Sequence, residues 1–276
     1  MRIFVTGATG YIGTEVVREL LAAGHQVVGL TRSDQGAEQL EAAGAEAFRG
    51  TLEDLDGLKR AAAGADGVIH LAFVHDFSNF AASLTTDLRA VEAMGEVLVD
   101  TGKPFIITAH ANGVESENAV LALAKRGVRT AIMSLAPSVH GTQDKGFVPL
   151  LIQTARAKGV SAYIGEGSNR WPAIHRLDAA TLFRLAVEAA PAGSMLDGTH
   201  DEGIPFRDIA AVIGRQLNVP VVSIPREEAE AHFGFLGMLA AHDFPRSSAA
   251  TQELLGWKPV QPGLLEDLAQ EHYFKS

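Results

Sequence analysis

Short β-branched runs alternate with stretches of helical periodicity along the first half of the chain, the pattern by which strand–helix–strand units of a parallel sheet show in a sequence. Ile3-Phe4-Val5 reads as the first strand, and Thr14 to Ala23 places Val16, Val17, Leu20 and Leu21 on one side of a helix closed by Gly24. Gln26 to Leu30 follows as a strand, Ala37 to Ala43 as a helix ended by Gly44, and Ala45 to Phe48 as a short strand. Leu55 to Ala63 is predicted helical up to Gly64, Gly67 to Ala72 a buried strand, Ser83 to Thr101 a longer helix, and Phe105 to Thr108 the next strand. A helix from about Ser116 to Arg126 and a strand from Thr130 to Leu135 complete six strands in strict alternation. This predicts an α/β fold on a doubly wound parallel sheet, for which right-handed crossovers leave few topologies.

Beyond Pro137 the rhythm breaks into Gly/Pro-punctuated pieces, with helices around 148–158, 178–189 and 206–216 and a tail carrying Leu254-Leu255-Gly256-Trp257. A small C-terminal α/β lobe over the carboxyl edge of the sheet is expected. The division predicted is residues 1–139, with a return segment at about 173–190, for the sheet domain, and residues 140–172 and 191–276 for the second lobe. With 276 residues, 47% hydrophobic and 20% charged, the chain can bury a full core, which excludes disorder, collagen and coiled coil. A formal charge of −10 and no Lys/Arg cluster argue against a nucleic-acid partner. Without cysteine there is no thiol catalysis and no Cys-ligated zinc. The opening apolar run is too short for a signal sequence and none later approaches a bilayer span, so the chain reads as cytoplasmic, with no membrane partner.

Between the first strand and first helix lies Thr6-Gly7-Ala8-Thr9-Gly10-Tyr11-Ile12-Gly13, with the spacing Gly-x-x-Gly-x-x-Gly in the context a dinucleotide fingerprint requires. Gly7 permits a tight turn, Gly10 lets backbone N–H groups approach a pyrophosphate at the helix N-terminus, and Gly13 lets helix pack on strand. Thr9, Tyr11 and Ile12 complete the expected cofactor loop. About twenty residues on, where an NAD-preferring site carries Asp or Glu, the chain reads Leu30-Thr31-Arg32-Ser33. A guanidinium at Arg32 suits a 2′-phosphate, with the Ser33 hydroxyl beside it, so NADP(H) is favoured over NAD(H). The plainer reading of Arg32 is a solvated strand-end arginine.

Thr6 to Gly13, His70-Leu71-Ala72, the run Gly165 to Pro172 followed by His175-Arg176-Leu177-Asp178, and Leu255-Gly256-Trp257-Lys258-Pro259 together resemble the extended short-chain dehydrogenase/reductases, the NAD-dependent epimerase/dehydratase family. The resemblance spans essentially the whole chain. It implies a Rossmann domain with a smaller substrate lobe, a nicotinamide cofactor, frequent homodimerisation, and epimerase, dehydratase or ketoreductase chemistry on a small molecule. It further implies that Leu71, Ala72 and Phe73 line the cofactor and that Pro137, Ser138 and Val139 lie near its nicotinamide.

The chain departs from that family at the acid/base. The family's Tyr is followed four residues later by Lys, yet Tyr11 is followed by Glu15, Tyr163 by Gly167, and Tyr273 by the end of the chain. Thr108-Ala109-His110 stands where the family commonly has Ser or Thr after the fifth strand. His110 is thus the first alternative general acid, since an imidazole titrates near neutrality, and Thr108 could orient a carbonyl. A solvated loop histidine is the bland alternative. His140 is expected to pack or touch substrate rather than catalyse, Tyr163 and Trp171 to pack, and His175 and Asp178 to act as structural hydrogen bonders. No Gly-x-Ser-x-Gly elbow, His-Glu-x-x-His run or Gly-Lys-Ser/Thr phosphate loop occurs, and no sequence spacing marks a metal site.

The activity this predicts is NADP(H)-dependent hydride transfer between the nicotinamide and a small carbonyl, alcohol or imine substrate, with a non-standard acid/base. The alternatives are a catalytically silent NADP(H)-binding redox sensor and, third, a sugar-nucleotide epimerase or dehydratase.

Overall fold

The protein, a computed structural model, is described over residues 1–76 and 79–275. In chain order its elements begin β1 (Arg2–Thr6), α1 (Tyr11–Ala22), β2 (Gln26–Thr31), α2 (Asp34–Ala43), β3 (Glu46–Arg49), α3 (Leu55–Ala63), β4 (Gly67–His70), α4 (Phe80–Glu96), β5 (Pro104–Thr108), α5 (Val114–Ala124) and β6 (Arg129–Leu135). They continue with β7 (Ser138–His140), α6 (Phe147–Lys158), β8 (Ser161–Ile164), β9 (Arg170–His175), α7 (Arg176–Ala189), β10 (Ser194–Gly198), β11 (Asp201–Pro205) and α8 (Phe206–Leu217). β12 (Val221–Ile224), α9 (Ala229–Phe233), α10 (Leu236–Ala240), α11 (Ala249–Leu255) and α12 (Leu264–Leu268) complete them.

The chain forms two compact units, one of residues 1–134, 179–196 and 250–257, the other of residues 135–178, 197–249 and 258–276. The first is built on a seven-stranded sheet in the order β10-β6-β5-β4-β1-β2-β3, a Rossmann-like doubly wound arrangement. Its strand order reverses between β1 and β4, where Thr6 is the register partner of His70. Phe4, Val28, Leu30, Val68, Phe105, Ile107 and Ile132 bury their side chains with Leu58, Val91, Met94, Val120 and Leu123 of the helices α3, α4 and α5 in one core. The second unit carries a three-stranded sheet, β11-β9-β7, and a two-stranded pair, β12-β8. Trp171 and Phe206, fully buried with rings 5.0 Å apart, centre its core.

Where element ends depart from the periodicity, hydrogen bonding accounts for it. α2 starts at Asp34 rather than Ala37 because the Ser33 hydroxyl accepts from Gly36 N–H and caps the helix three residues before its apolar face begins. α4 ends at Glu96, short of the expected Thr101, as the chain tightens into a turn and Asp100 takes φ 58°. β4 stops at His70 because the next two N–H groups turn to Thr6: Leu71 N–H donates to its carbonyl and hydroxyl oxygens and Ala72 N–H to the hydroxyl alone. Leu84, Leu88, Val91, Met94 and Leu98 read as one apolar stripe on α4, yet the buried face runs through Ser83, Asp87, Ala90, Val91 and Met94, with Leu84 and Leu88 half-buried.

Candidate active site

The glycine loop leads from β1 to α1 at the point where the strand order reverses, the place at which open α/β sheets bind ligands. Gly7 adopts φ +67°, and a Cβ there would lie 2.8 Å from Ala72 N and 2.9 Å from the Leu71 carbonyl carbon. A Cβ at Gly13 would sit 2.0 Å from the Gly7 carbonyl oxygen. Both positions therefore need glycine for backbone to meet backbone. α2 and α3 are capped by Ser33 and Asp54 and carry Asp34 and Asp56 in their first turns, whereas α1 has neither a side-chain cap nor an acidic first turn. Its uncapped N–H groups and positive dipole end are what an anion requires. Thr9 and Gly10 are exposed, Tyr11 and Ile12 half-buried. These residues fit a pyrophosphate.

Arg32 and Ser33 follow β2 and are exposed. Among the described residues nothing binds the Arg32 guanidinium, while the Ser33 hydroxyl, occupied as a cap acceptor, keeps its proton for donation. A second guanidinium escaped the sequence reading. Arg49 closes β3 as the register partner of Thr31, one residue from Arg32, and meets exposed Asp34 at 3.0 Å. Its signal was the pairing of two strand ends, which periodicity alone does not show.

Next to the loop runs a buried polar chain from Thr6 to Ser116. The Thr6 hydroxyl already accepts two backbone N–H groups, so its proton goes to His70 Nδ1 at 2.6 Å. That assigns the His70 proton to Nε2, which donates to Asp87 Oδ1 at 3.1 Å. Ser116 Oγ donates to Asp87 Oδ2 at 2.7 Å. Burial works to raise the Asp87 pKa, but the hydrogen bonds from His70 and Ser116 outweigh it and hold the carboxyl below its usual range. Sequence reasoning missed Thr6, His70, Asp87 and Ser116 as a group; an acid on the buried face of α4 was the available clue.

Thr108 and His110 are brought to this chain from the end of β5. Thr108 Oγ1 donates to the His70 carbonyl at 3.4 Å, and His110 Nε2 lies 3.9 Å from Asp87 Oδ1, too far for a hydrogen bond. That nitrogen is buried without a hydrogen-bond partner among the described residues. Phe73 stacks on the imidazole, ring centroids 4.1 Å apart at 32°. Near-neutral titration, expected from the residue type, does not hold here: burial lowers the pKa to about 4, and the attraction of Asp87 only partly opposes it. His110 is a neutral, half-buried ring whose Nε2 has no hydrogen-bond partner among the described residues.

Of the other residues singled out in the sequence, Leu71 and Ala72 are half-buried against Gly7. Pro137, Ser138 and Val139 lie in the second unit, the last two on β7 beside Ala173 and Ile174 of β9. Tyr163 is in β8 and Tyr273 in a short 3-10 turn that closes the second unit, so neither belongs to the polar chain of the first. Asp178 accepts from Val260 and Gln261 N–H, as a structural hydrogen bonder does. No helix among the described residues is long and apolar enough to cross a membrane.

The NmrA-like family profile matches residues 1–100. An uncharacterized protein of Schizosaccharomyces pombe is 50% identical over 99% of this chain and 100% of its own length. A 2-alkyl-3-oxoalkanoate reductase of Stenotrophomonas maltophilia is 26% identical over 99% of this chain and 91% of that protein. In structure the chain is similar to dTDP-glucose 4,6-dehydratase from Streptomyces venezuelae, solved with NAD bound, at 18% identity and a TM-score of 0.75 over 98% of this chain and 95% of that one. The chain therefore belongs to one family with the fission-yeast protein, resembles the NmrA-like family over its first 100 residues, and has the Rossmann-like fold of the dehydratase, with the glycine loop at the switch point of the sheet.

Proposed function

We propose that the protein is an NADP(H)-dependent oxidoreductase that moves hydride between the nicotinamide and the carbon of a small carbonyl, alcohol or imine substrate. The observation that carries this reading is the uncapped, acid-free N-terminus of α1 behind two glycines that admit no side chain, with the free guanidinium of Arg32 at the next strand end. The backbone N–H groups of residues 11–13 hold the pyrophosphate, and Arg32, with Ser33 and Arg49 beside it, holds the 2′-phosphate. Leu71, Ala72 and Phe73 line the cofactor. When bound, the reduced nicotinamide supplies a hydride to the substrate carbon.

The chain's own groups handle the substrate heteroatom. Thr108 orients it by hydrogen bond. His110, uncharged at neutral pH, offers its N–H to the negative charge that grows on the oxygen or nitrogen, and the proton that completes the product comes from water through the same ring. Phe73, stacked on the ring, keeps water from its face. Asp87 stays ionised and paired with His70 and Ser116, so it holds the wall of the site rather than donating a proton.

The test is the initial rate of NADPH consumption, with NADH in parallel, over ketones, aldehydes and cyclic imines, for the native protein and Arg32→Ala. Turnover with NADPH is expected, and Arg32→Ala should raise the NADPH Kd roughly 10- to 100-fold, the worth of one charge-assisted contact, while leaving NADH within about twofold. NADPH binding without turnover on any substrate class would favour a cofactor sensor.

A further inference from the structure

The second unit holds a cluster of titratable side chains that the proposed reaction does not use. His140 closes β7 and His175 closes β9, and the parallel register makes them partners, with ring centroids 5.3 Å apart. Asp267 reaches them from α12 and accepts a 2.8 Å hydrogen bond from His140 Nδ1. One ligand atom from each of His140, His175 and Asp267 lies within 4.8 Å of the others, and all three residues are buried. His272, in the 3-10 turn that follows, places Nε2 3.6 Å from Asp267 Oδ1.

A hydrogen-bonded His–Asp pair alone is ordinary packing chemistry, but this cluster has more capacity than it uses. His140 Nε2 and His272 Nε2 are buried and have no hydrogen-bond partner among the described residues. Because His140 Nδ1 faces Asp267 Oδ2 at 2.8 Å, an ion held between those two atoms takes the place of the shared hydrogen, and the ring carries its proton on Nε2 instead. Gly141 adds to the argument: any Cβ there would lie 3.1 Å from His175 Nε2, so the glycine leaves that ring edge uncrowded. Leu177 N–H donates to His175 Nδ1 at 3.2 Å, and ligation through Nε2 moves the ring's proton to Nδ1 at the expense of that one bond.

We propose that His140, His175 and Asp267 form a binding site for a divalent transition-metal ion of the zinc class. Two imidazoles and one carboxylate are a borderline donor set suited to Zn2+ or Co2+, and too rich in nitrogen for Mg2+ or Ca2+. Three protein ligands leave the fourth tetrahedral position to water. Donors on a tetrahedral zinc lie about 3.3 Å apart, so small side-chain rotations draw the group in. Bound there, the ion ties β7, β9 and α12 together.

The full-length protein, stripped with a chelator and dialysed, is titrated with Co2+ while its visible absorption is followed, and its thermal midpoint is read with and without Zn2+. One equivalent of Co2+ should saturate a ligand-field band that Zn2+ removes, and Zn2+ should raise the midpoint. His140→Gln and His175→Gln should abolish the band, and Asp267→Asn should do so while keeping the side chain's shape. No band in the native protein, or a band unchanged in Asp267→Asn and in whichever histidine variant folds, overturns the proposal.

Discussion

At the scale of single residues, the decisive quantity is the charge of His110. Its nearest anion is Asp87, 3.9 Å away, and its ring is stacked on Phe73. Burial outweighs that anion and lowers the pKa to about 4, so the ring is uncharged from pH 5.5 upward. The profile of kcat/KM between pH 5.5 and 8 should therefore carry no inflection from His110, and a limb near pH 6.5 that vanishes in His110→Gln would refute the neutral-ring assignment. The residue type alone suggests the opposite, because an unperturbed imidazole titrates inside that window. Environment reverses it.

At the scale of elements, the glycine loop separates two requirements that a motif merges. Gly13 is needed for the fold, since a Cβ would enter the Gly7 carbonyl at 2.0 Å and push α1 from β1. Gly10 has an ordinary φ of −79° and meets that same oxygen only at 3.1 Å, so a methyl group there is tolerated by the chain but stands where a pyrophosphate would approach. Gly13→Ala should cost about 1–3 kcal/mol of stability as well as cofactor affinity. Gly10→Ala should melt within a few degrees of the native protein yet bind NADPH at least roughly 10-fold more weakly. Chemical denaturation and a direct NADPH titration on both variants separate the two effects.

At the scale of the whole molecule, buried histidines set the response to acid. His110 binds its proton only near pH 4 when folded, whereas in the unfolded chain it does so near the ordinary imidazole value of 6.5. Between those values the unfolded state holds more protons, so this contribution is fully present above pH 6.5 and is lost as pH falls toward 4. His175, lowered by burial, acts in the same direction. Asp87 contributes as well: its folded pKa is depressed, so its stabilisation is present at neutral pH and lost as the carboxyl protonates in stronger acid. Urea unfolding at pH 7 and pH 4.5 should show His110→Gln losing about 2 kcal/mol less than the native protein over that interval. Equal losses would mean that His110 is not buried as described.

Much of this protein is determined locally. Strand–helix alternation, the glycines that close α1 and α2, and Gly7, Gly10 and Gly13 specify a doubly wound sheet with a dinucleotide loop, because periodicity, capping and left-handed turns depend on neighbours a few residues apart. Absence of the Tyr-x-x-x-Lys pair was equally legible, since it is a matter of spacing. Tertiary structure alone decided the rest. It joins Thr6 to His70 across 64 positions, Ser116 to Asp87 across 29 and His140 to Asp267 across 127. It sets Arg49 beside the end of β2 through strand register, and it removes the water that would have let His110 carry a charge at neutral pH. Sheet register and burial are properties of the packed chain, and proton affinity and ligand grouping follow from them.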